Sequence, residues 1–177
     1  VEGMIKTVKF ARENNVPYLG LCLGMQVMVI EAARNLLGKE GANSSEFDTD
    51  TKDPVIDIML DQIDVKEKGG TMRLGVYPCV IKDGSITSKA YGVKTVMERH
   101  RHRFEFNNSY KDDLAAVGLI STGISPDGQL VEIVEYKSHP FMAGTQFHPE
   151  FLSRPSNPHP LFREFIFATS EFNDKSK

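Results

Sequence analysis

The chain has 177 residues, enough for one ordinary domain with its own core, and its 40% apolar share lies far from disordered composition. Lys and Arg number 21 against 24 Asp and Glu, a net charge of -3 that gives no general drive toward nucleic acid or an anionic membrane. Two cysteines, Cys22 and Cys79, form neither a zinc spacing nor a disulfide framework, so a reducing cytoplasm is expected; no apolar run reaches membrane length, and Glu2, Lys6 and Lys9 interrupt any signal peptide.

In chain order, Glu2 to Asn14 reads as an amphipathic helix, with Ile5 and Val8, joined by Met4 and Phe10, on the apolar face and Lys6, Lys9, Arg12 and Glu13 toward water. Tyr18 to Leu21 is a strand with the near-continuous apolarity of a parallel strand buried on both faces. Met25 to Leu37 is a second helix, closed by Gly38. Helix, strand, sharp turn and helix in this order imply a doubly wound α/β sheet. Gly41 to Asp53 reads as a long polar loop, and Val55 to Leu60 as a short strand. Lys66 to Gly70 is a turn. Short strands follow at Met72 to Pro78 and Cys79 to Ile81, then the turn Lys82-Asp83-Gly84-Ser85. Leu114 to Ser121 and Leu130 to Tyr136 are strands, with the turn Pro126-Asp127-Gly128-Gln129 between them. A strand leads into Gln146-Phe147-His148-Pro149-Glu150-Phe151. A final helix spans Leu161 to Phe172, with 173–177 as a tail.

Three stretches carry chemistry. In Gly20-Leu21-Cys22-Leu23-Gly24 an apolar strand ends at a cysteine flanked by glycines, and a helix starts at once. That is the layout of a nucleophile elbow, with room at Gly20 and Gly24 and a helix dipole that favours thiolate. A buried cysteine packing as a small hydrophobe explains the stretch equally well. Cys79, with no such flanks, is structural.

In Glu98-Arg99-His100-Arg101-His102-Arg103-Phe104-Glu105-Phe106, alternation puts His100 and His102 on one face and the three arginines on the other. Nucleic-acid binding does not suit so short a patch followed by Glu105, and a metal site lacks further ligands. A guanidinium clamp for a carboxylate and a strand laced with surface ion pairs both remain. In the third stretch, Pro149 keeps His148 extended, so Glu150 projects to the same side and can orient the imidazole, the base-plus-orienter pair of a triad. His139 and His159 have no such carboxylate and read as structural or surface.

With Cys22, His148 and Glu150 together, the chain resembles the triad-type, or class I, glutamine amidotransferases over nearly its whole length. The segments Gly70-Thr71-Met72-Arg73-Leu74-Gly75 and Glu98 to Glu105 narrow the resemblance to the branch whose ammonia aminates UTP to CTP. The Arg-His-Arg block discriminates most, since relatives serving guanine, anthranilate or carbamoyl phosphate synthesis lack it.

The resemblance implies a flavodoxin-like fold: a mixed, mostly parallel sheet with helices on both faces and a small antiparallel section. It implies that Cys22 attacks the amide of L-glutamine, that His148 moves protons, and that Glu150 holds His148. Backbone amides of Leu23, Gly24, Met25 and Gln26 contact substrate, Leu23 N–H serving the oxyanion; Glu46 holds the substrate ammonium and Arg103 its carboxylate. No cofactor is expected in this domain, while ATP, Mg²⁺ and UTP belong to an N-terminal synthetase domain of the same parent, a homotetramer with GTP as activator.

The family's glycine-rich oxyanion loop precedes the first helix, and the sequence begins after it. A piece of a longer chain, weak or inactive alone, is therefore expected. A γ-glutamyl peptidase on the same scaffold and a degenerate regulatory module are the competing readings.

Overall fold

The computed structural model describes residues 1–58 and 72–175. The turn expected at Lys66 to Gly70, the end of the strand expected at Val55 to Leu60, and Gly70 and Thr71 of the Gly-Thr-Met-Arg motif lie outside the described residues.

The first half follows the sequence pattern closely. Helix α1 (Glu2–Glu13) buries Ile5, Val8 and Ala11, while Met4 and Phe10 of the expected apolar face are exposed. Strand β1 (Tyr18–Leu21) leads into α2 (Leu23–Asn35), which begins two residues earlier than its apolar pattern and is buried along most of its length. The polar loop contains a two-residue strand, β2 (Asn43–Ser44), and β3 (Pro54–Ile58) follows. The two short strands expected next are one, β4 (Arg73–Ile81).

Two short helices were not legible. Helix α3 (Ile86–Tyr91) is capped by the Ser85 side chain, which accepts from Ser88 N–H, and Gly92 ends it at a φ of 69°. After β5 (Thr95–His102) and β6 (Phe104–Phe106) comes α4 (Lys111–Ala116). That helix corrects the strand expected from Leu114: β7 starts only at Leu119 and runs to Ile124. Asp112 and Asp113 sit in the first turn of α4, where the helix dipole favours them. Strands β8 (Val131–Tyr136) and β9 (Met142–Thr145) complete the sheets, and α5 (Pro160–Lys175) runs past Phe172.

Six strands form the main sheet in the order β1-β9-β8-β7-β4-β5, and β2-β3-β6 form a smaller one. The α/β architecture and mixed sheet are as expected, but antiparallel pairing outweighs parallel in the described main sheet: only β1 with β9 runs parallel. The links β7–β8 and β8–β9 are too short for a crossover, so those neighbours must run antiparallel. Ile5, Val8, the apolar length of α2 and Leu114 pack one face of the sheet against Val134, Tyr136 and Met142. Ala90 of α3 and Leu161 of α5 pack the other against Cys79, Ile81 and Ile133.

Helix α2 lies almost on the backbone of β1 and β9. A Cβ at Gly20 would stand 2.5 Å from the Gly24 carbonyl carbon, and one at Gly144 2.9 Å from Met25 Cα. Gly24 itself has only the Tyr18 hydroxyl near, at 3.5 Å, so the room the turn needs is at Gly20 and Gly144 rather than at Gly24.

Candidate active site

Cys22 stands between β1 and α2 with φ 50° and ψ -102°. A non-glycine residue held there stores about 1–3 kcal/mol of backbone strain, which surrounding contacts must offset. Those contacts are present: Cys22 N–H donates to Thr145 O at 2.6 Å, and the N–H groups of Met25 and Gln26 donate to Cys22 O at 3.0 and 3.2 Å. The thiol is thrown out at the C-terminal ends of β1 and β9, where the first N–H groups of α2 lack helical partners.

Beyond β9 the chain carries His148 to the same end of the sheet. The strand stops at Thr145, and Pro149–Phe151 is a 3-10 turn, so Glu150 reaches His148 by a turn and not by strand alternation. His148 Nδ1 and Glu150 Oε1 are 2.6 Å apart. His148 N–H donates to Arg99 O at 2.8 Å, and its ring stacks on Phe151 with centroids 5.0 Å apart. Its other nitrogen, Nε2, is buried and has no hydrogen-bond partner among the described residues. A neutral imidazole with Nδ1–H held by a carboxylate keeps a lone pair on Nε2, the arrangement a general base requires.

A cleft of about 350 Å³ opens at the thiol. Cys22, Leu23, Gln26, Glu46, Phe47, Met72, Arg101, His102, Arg103 and Phe104 line it, so the elbow, the polar loop and the Arg-His block meet there. Glu46 and Arg103 bring opposite charges to its wall. Gly24 and Met25 are buried in α2 and do not line it.

Gln146 had no signal in sequence beyond its place before Phe147. It is fully buried, and its Nε2 lies 3.6 Å from Cys22 Sγ. The Arg-His block also gives more than Arg103: the carbonyls of Arg99 and Phe104 hold His148 and Gln26.

The pull of the helix N-terminus on Cys22 is outweighed. Burial pushes its thiol above the ordinary value, Glu150 and Glu46 push the same way, and the hydrogen bonds from Leu23 N–H and Gln146 only partly oppose them. The resting group is therefore a thiol that needs a base. Cys79 is fully buried, and burial drives its thiol far higher still. His139 and His159 are both buried: His139 bonds the backbone of Ala11 and Phe141, and His159 Nε2 lies 2.9 Å from Glu98. Among the described residues no group of three or more His, Cys, Asp or Glu could hold a metal, and no helix is long and apolar enough to cross a membrane.

The family model for glutamine amidotransferase class-I matches residues 1–168. The chain belongs to that family. Among class I amidotransferase relatives it is 63% identical over 171 residues to a CTP synthase of Dehalococcoides mccartyi, covering 97% of this chain and 31% of that protein. A CTP synthase of Caldanaerobacter subterraneus is 60% identical over 95% of this chain, again 31% of the relative. This amidotransferase chain thus spans about a third of the length of those relatives. Among solved structures, the glutaminase domain of a Trypanosoma brucei CTPS with bound acivicin superposes with a TM-score of 0.89 at 39% identity, covering 96% of this chain and 66% of that one. A glutamine amidotransferase of Thermotoga maritima shares the fold alone, with a TM-score of 0.52 at 12% identity over 99% of this chain and 56% of that one.

Proposed function

We propose that this chain hydrolyses L-glutamine to glutamate and ammonia as the glutaminase unit of a CTP synthase, the unit running over residues 1–172. The observation that carries the reading is the cleft into which the strained Cys22 turn, Glu46 and Arg103 open together, with the His148–Glu150 pair at the same end of the sheet.

Glutamine enters with its ammonium toward Glu46 and its carboxylate toward Arg103, a zwitterion matched by one anion and one cation. The side-chain amide then lies at Cys22. His148 Nε2 takes the thiol proton as sulfur attacks the carbonyl carbon, and the carbonyl electron pair moves to oxygen. Leu23 N–H, at the start of α2, donates to that oxyanion. Collapse expels ammonia with the proton from His148 and leaves a glutamyl thioester. Water, deprotonated by His148, attacks the thioester; glutamate leaves and the sulfur regains its proton. Glu150 holds the imidazole in one tautomer and offsets its charge when protonated.

In the parent protein the ammonia aminates UTP in a synthetase part that binds ATP and Mg²⁺. The parent is a cytoplasmic homotetramer activated by GTP. Two free cysteines suit that compartment, and the CTP synthases it matches extend well beyond the aligned part.

Acivicin, bound in the Trypanosoma brucei domain, is the probe of choice as a glutamine-mimicking electrophile. Treated full-length protein should carry one adduct, on the Cys22 peptide. An adduct on Cys79 with Cys22 unmodified would sink the mechanism. In the same protein Cys22→Ala should abolish CTP formation from glutamine yet keep it from added ammonia. Loss of both would make Cys22 a folding residue.

A further inference from the structure

Behind the Cys22 sulfur lies Gln146, whose side chain is fully buried. Its backbone N–H donates to Glu132 O at 2.8 Å, which pins the start of the segment bearing His148. Its side-chain amide has one polar neighbour at each end. Gln26 Nε2 lies 3.4 Å from Gln146 Oε1, and Gln146 Nε2 lies 3.6 Å from Cys22 Sγ.

Which end of this amide faces the sulfur follows from a carbonyl one step further back. Gln26 Nε2 also donates to Phe104 O at 3.0 Å, and a backbone carbonyl can only accept. That contact fixes the NH₂ of Gln26 toward Phe104 and Gln146. The second N–H of Gln26 needs an acceptor, and Gln146 Oε1 supplies it. The NH₂ of Gln146 is then left to point at the thiol. The order Phe104 carbonyl, Gln26 amide, Gln146 amide, sulfur is fixed from its backbone end, and each amide in it polarises the next.

We propose that Gln146 is a catalytic hydrogen-bond donor to the Cys22 sulfur, stabilising its anionic form both when it attacks the amide and when it leaves the thioester. The inference rests on Cys22 being the nucleophile. In the attack, the S–H proton goes to His148, the S–C bond forms, and the amide carbonyl pair moves to oxygen. In deacylation, the water oxygen bonds to the carbonyl carbon and its proton goes to His148. The C–S bond breaks with its electron pair on sulfur, where the Gln146 N–H holds it until His148 returns the proton. A buried sulfur flanked by Glu150 and Glu46 needs such a donor, since burial and both carboxylates disfavour the anion.

The test is the pH dependence of Cys22 alkylation by iodoacetamide in the full-length protein, read from the mass of the Cys22 peptide. Gln146→Met keeps length and removes the donor. Its alkylation midpoint should rise by about one pH unit and its rate at neutral pH fall about tenfold, with the high-pH plateau unchanged. Glutaminase kcat should fall more than KM rises. An unchanged midpoint with reduced kcat would overturn the proposal and leave Gln146 as packing. If Gln146→Met does not fold, Gln26→Met reads the same property by freeing Gln146 to rotate: its midpoint should move upward by a smaller amount, and no movement overturns the proposal equally. Alkylation needs no turnover, so the result separates from the glutaminase reading. That reading fails instead if wild-type protein takes no acivicin on Cys22.

Discussion

A thiol raised by burial attacks nothing until its proton has somewhere to go, and on the proposed mechanism His148 takes it. Glu150 lies 2.6 Å from His148 Nδ1, and on the proposed mechanism it selects the tautomer whose Nε2 takes the thiol proton. Glu150→Gln should therefore lower kcat for glutamine by a factor on the order of 10²–10⁴ with little change in KM, measured as ammonia release. A kcat within a fewfold of wild type would remove Glu150 from the mechanism. Glu46, on the cleft wall, is proposed to act on binding instead. Glu46→Gln should raise KM roughly ten- to a hundredfold while kcat holds, the size of one lost charged hydrogen bond. At this scale the sequence was readable where chemistry imposes a local pattern: glycine beside Cys22, proline between His148 and Glu150. Gln146 imposes none. Its partners are a sulfur and another amide reached from across the sheet, and no spacing announces them.

The elements show why a pattern can be right for a partly different reason. Both glycines flanking the elbow read as making room, yet only Gly20 has backbone against it. Gly20→Ala should push α2 off β1, lower stability by about 1–3 kcal/mol and disturb Cys22, whereas Gly24→Ala meets only the Tyr18 hydroxyl and should be close to neutral. Urea midpoints and glutaminase rates of the two variants decide it; equal losses would mean the close approach is not what the turn depends on. Helix α1 was legible because a single buried face writes a period into it, and α2 and β8 because burial on all sides makes them largely apolar runs. The six-residue helices α3 and α4 were not, since two turns bury too little to leave a period. Their caps, Ser85 and Gly92 for α3, were the available signal.

At the scale of the molecule, a buried cluster of ionisable groups contributes to the response to acid. Arg73 Nη1 lies 2.6 Å from Glu132 Oε1 and 3.8 Å from Glu105 Oε1, and His100 Nδ1 lies 2.8 Å from His102 Nε2 beside them. Burial, with the Arg73 charge adding to it, pushes His100 down to about 2 and His102 down to about 3 from 6.5. The unfolded chain protonates both below 6.5 while the folded one does not, so their contribution is complete above that pH and is lost as pH falls. Burial also raises Glu132 to about 7 from 4.5 against the pull of Arg73, so the folded state holds that proton first, and its contribution is complete below 4.5 and lost as pH rises toward 7. Within this cluster the two effects oppose each other between 4.5 and 6.5, and only the histidines act below. The cluster's share of stability should fall with acid by about 1.4 kcal/mol per pH unit in the upper range and about twice that in the lower. Urea midpoints across that range should show the bend, and Glu132→Gln should straighten it. A single slope in the wild-type protein would contradict the assignment.

The parallel pairing of β1 with β9 has a consequence in time. The elbow is near the start of the described chain and its proposed base near the end, and the strands that lead into them lie side by side, with Leu21 beside Thr145. On a ribosome, Cys22 emerges long before Thr145, the residue whose carbonyl holds the Cys22 amide. During that interval the strand has no partner at β9, the turn has nothing to offset its strain, and the thiol is an ordinary cysteine. A nascent or C-terminally truncated copy therefore lacks the assembled site, and acivicin labelling of Cys22 in stalled chains should rise only once β9 and His148 have left the exit tunnel. Reactivity arrives late, as a property of the finished molecule.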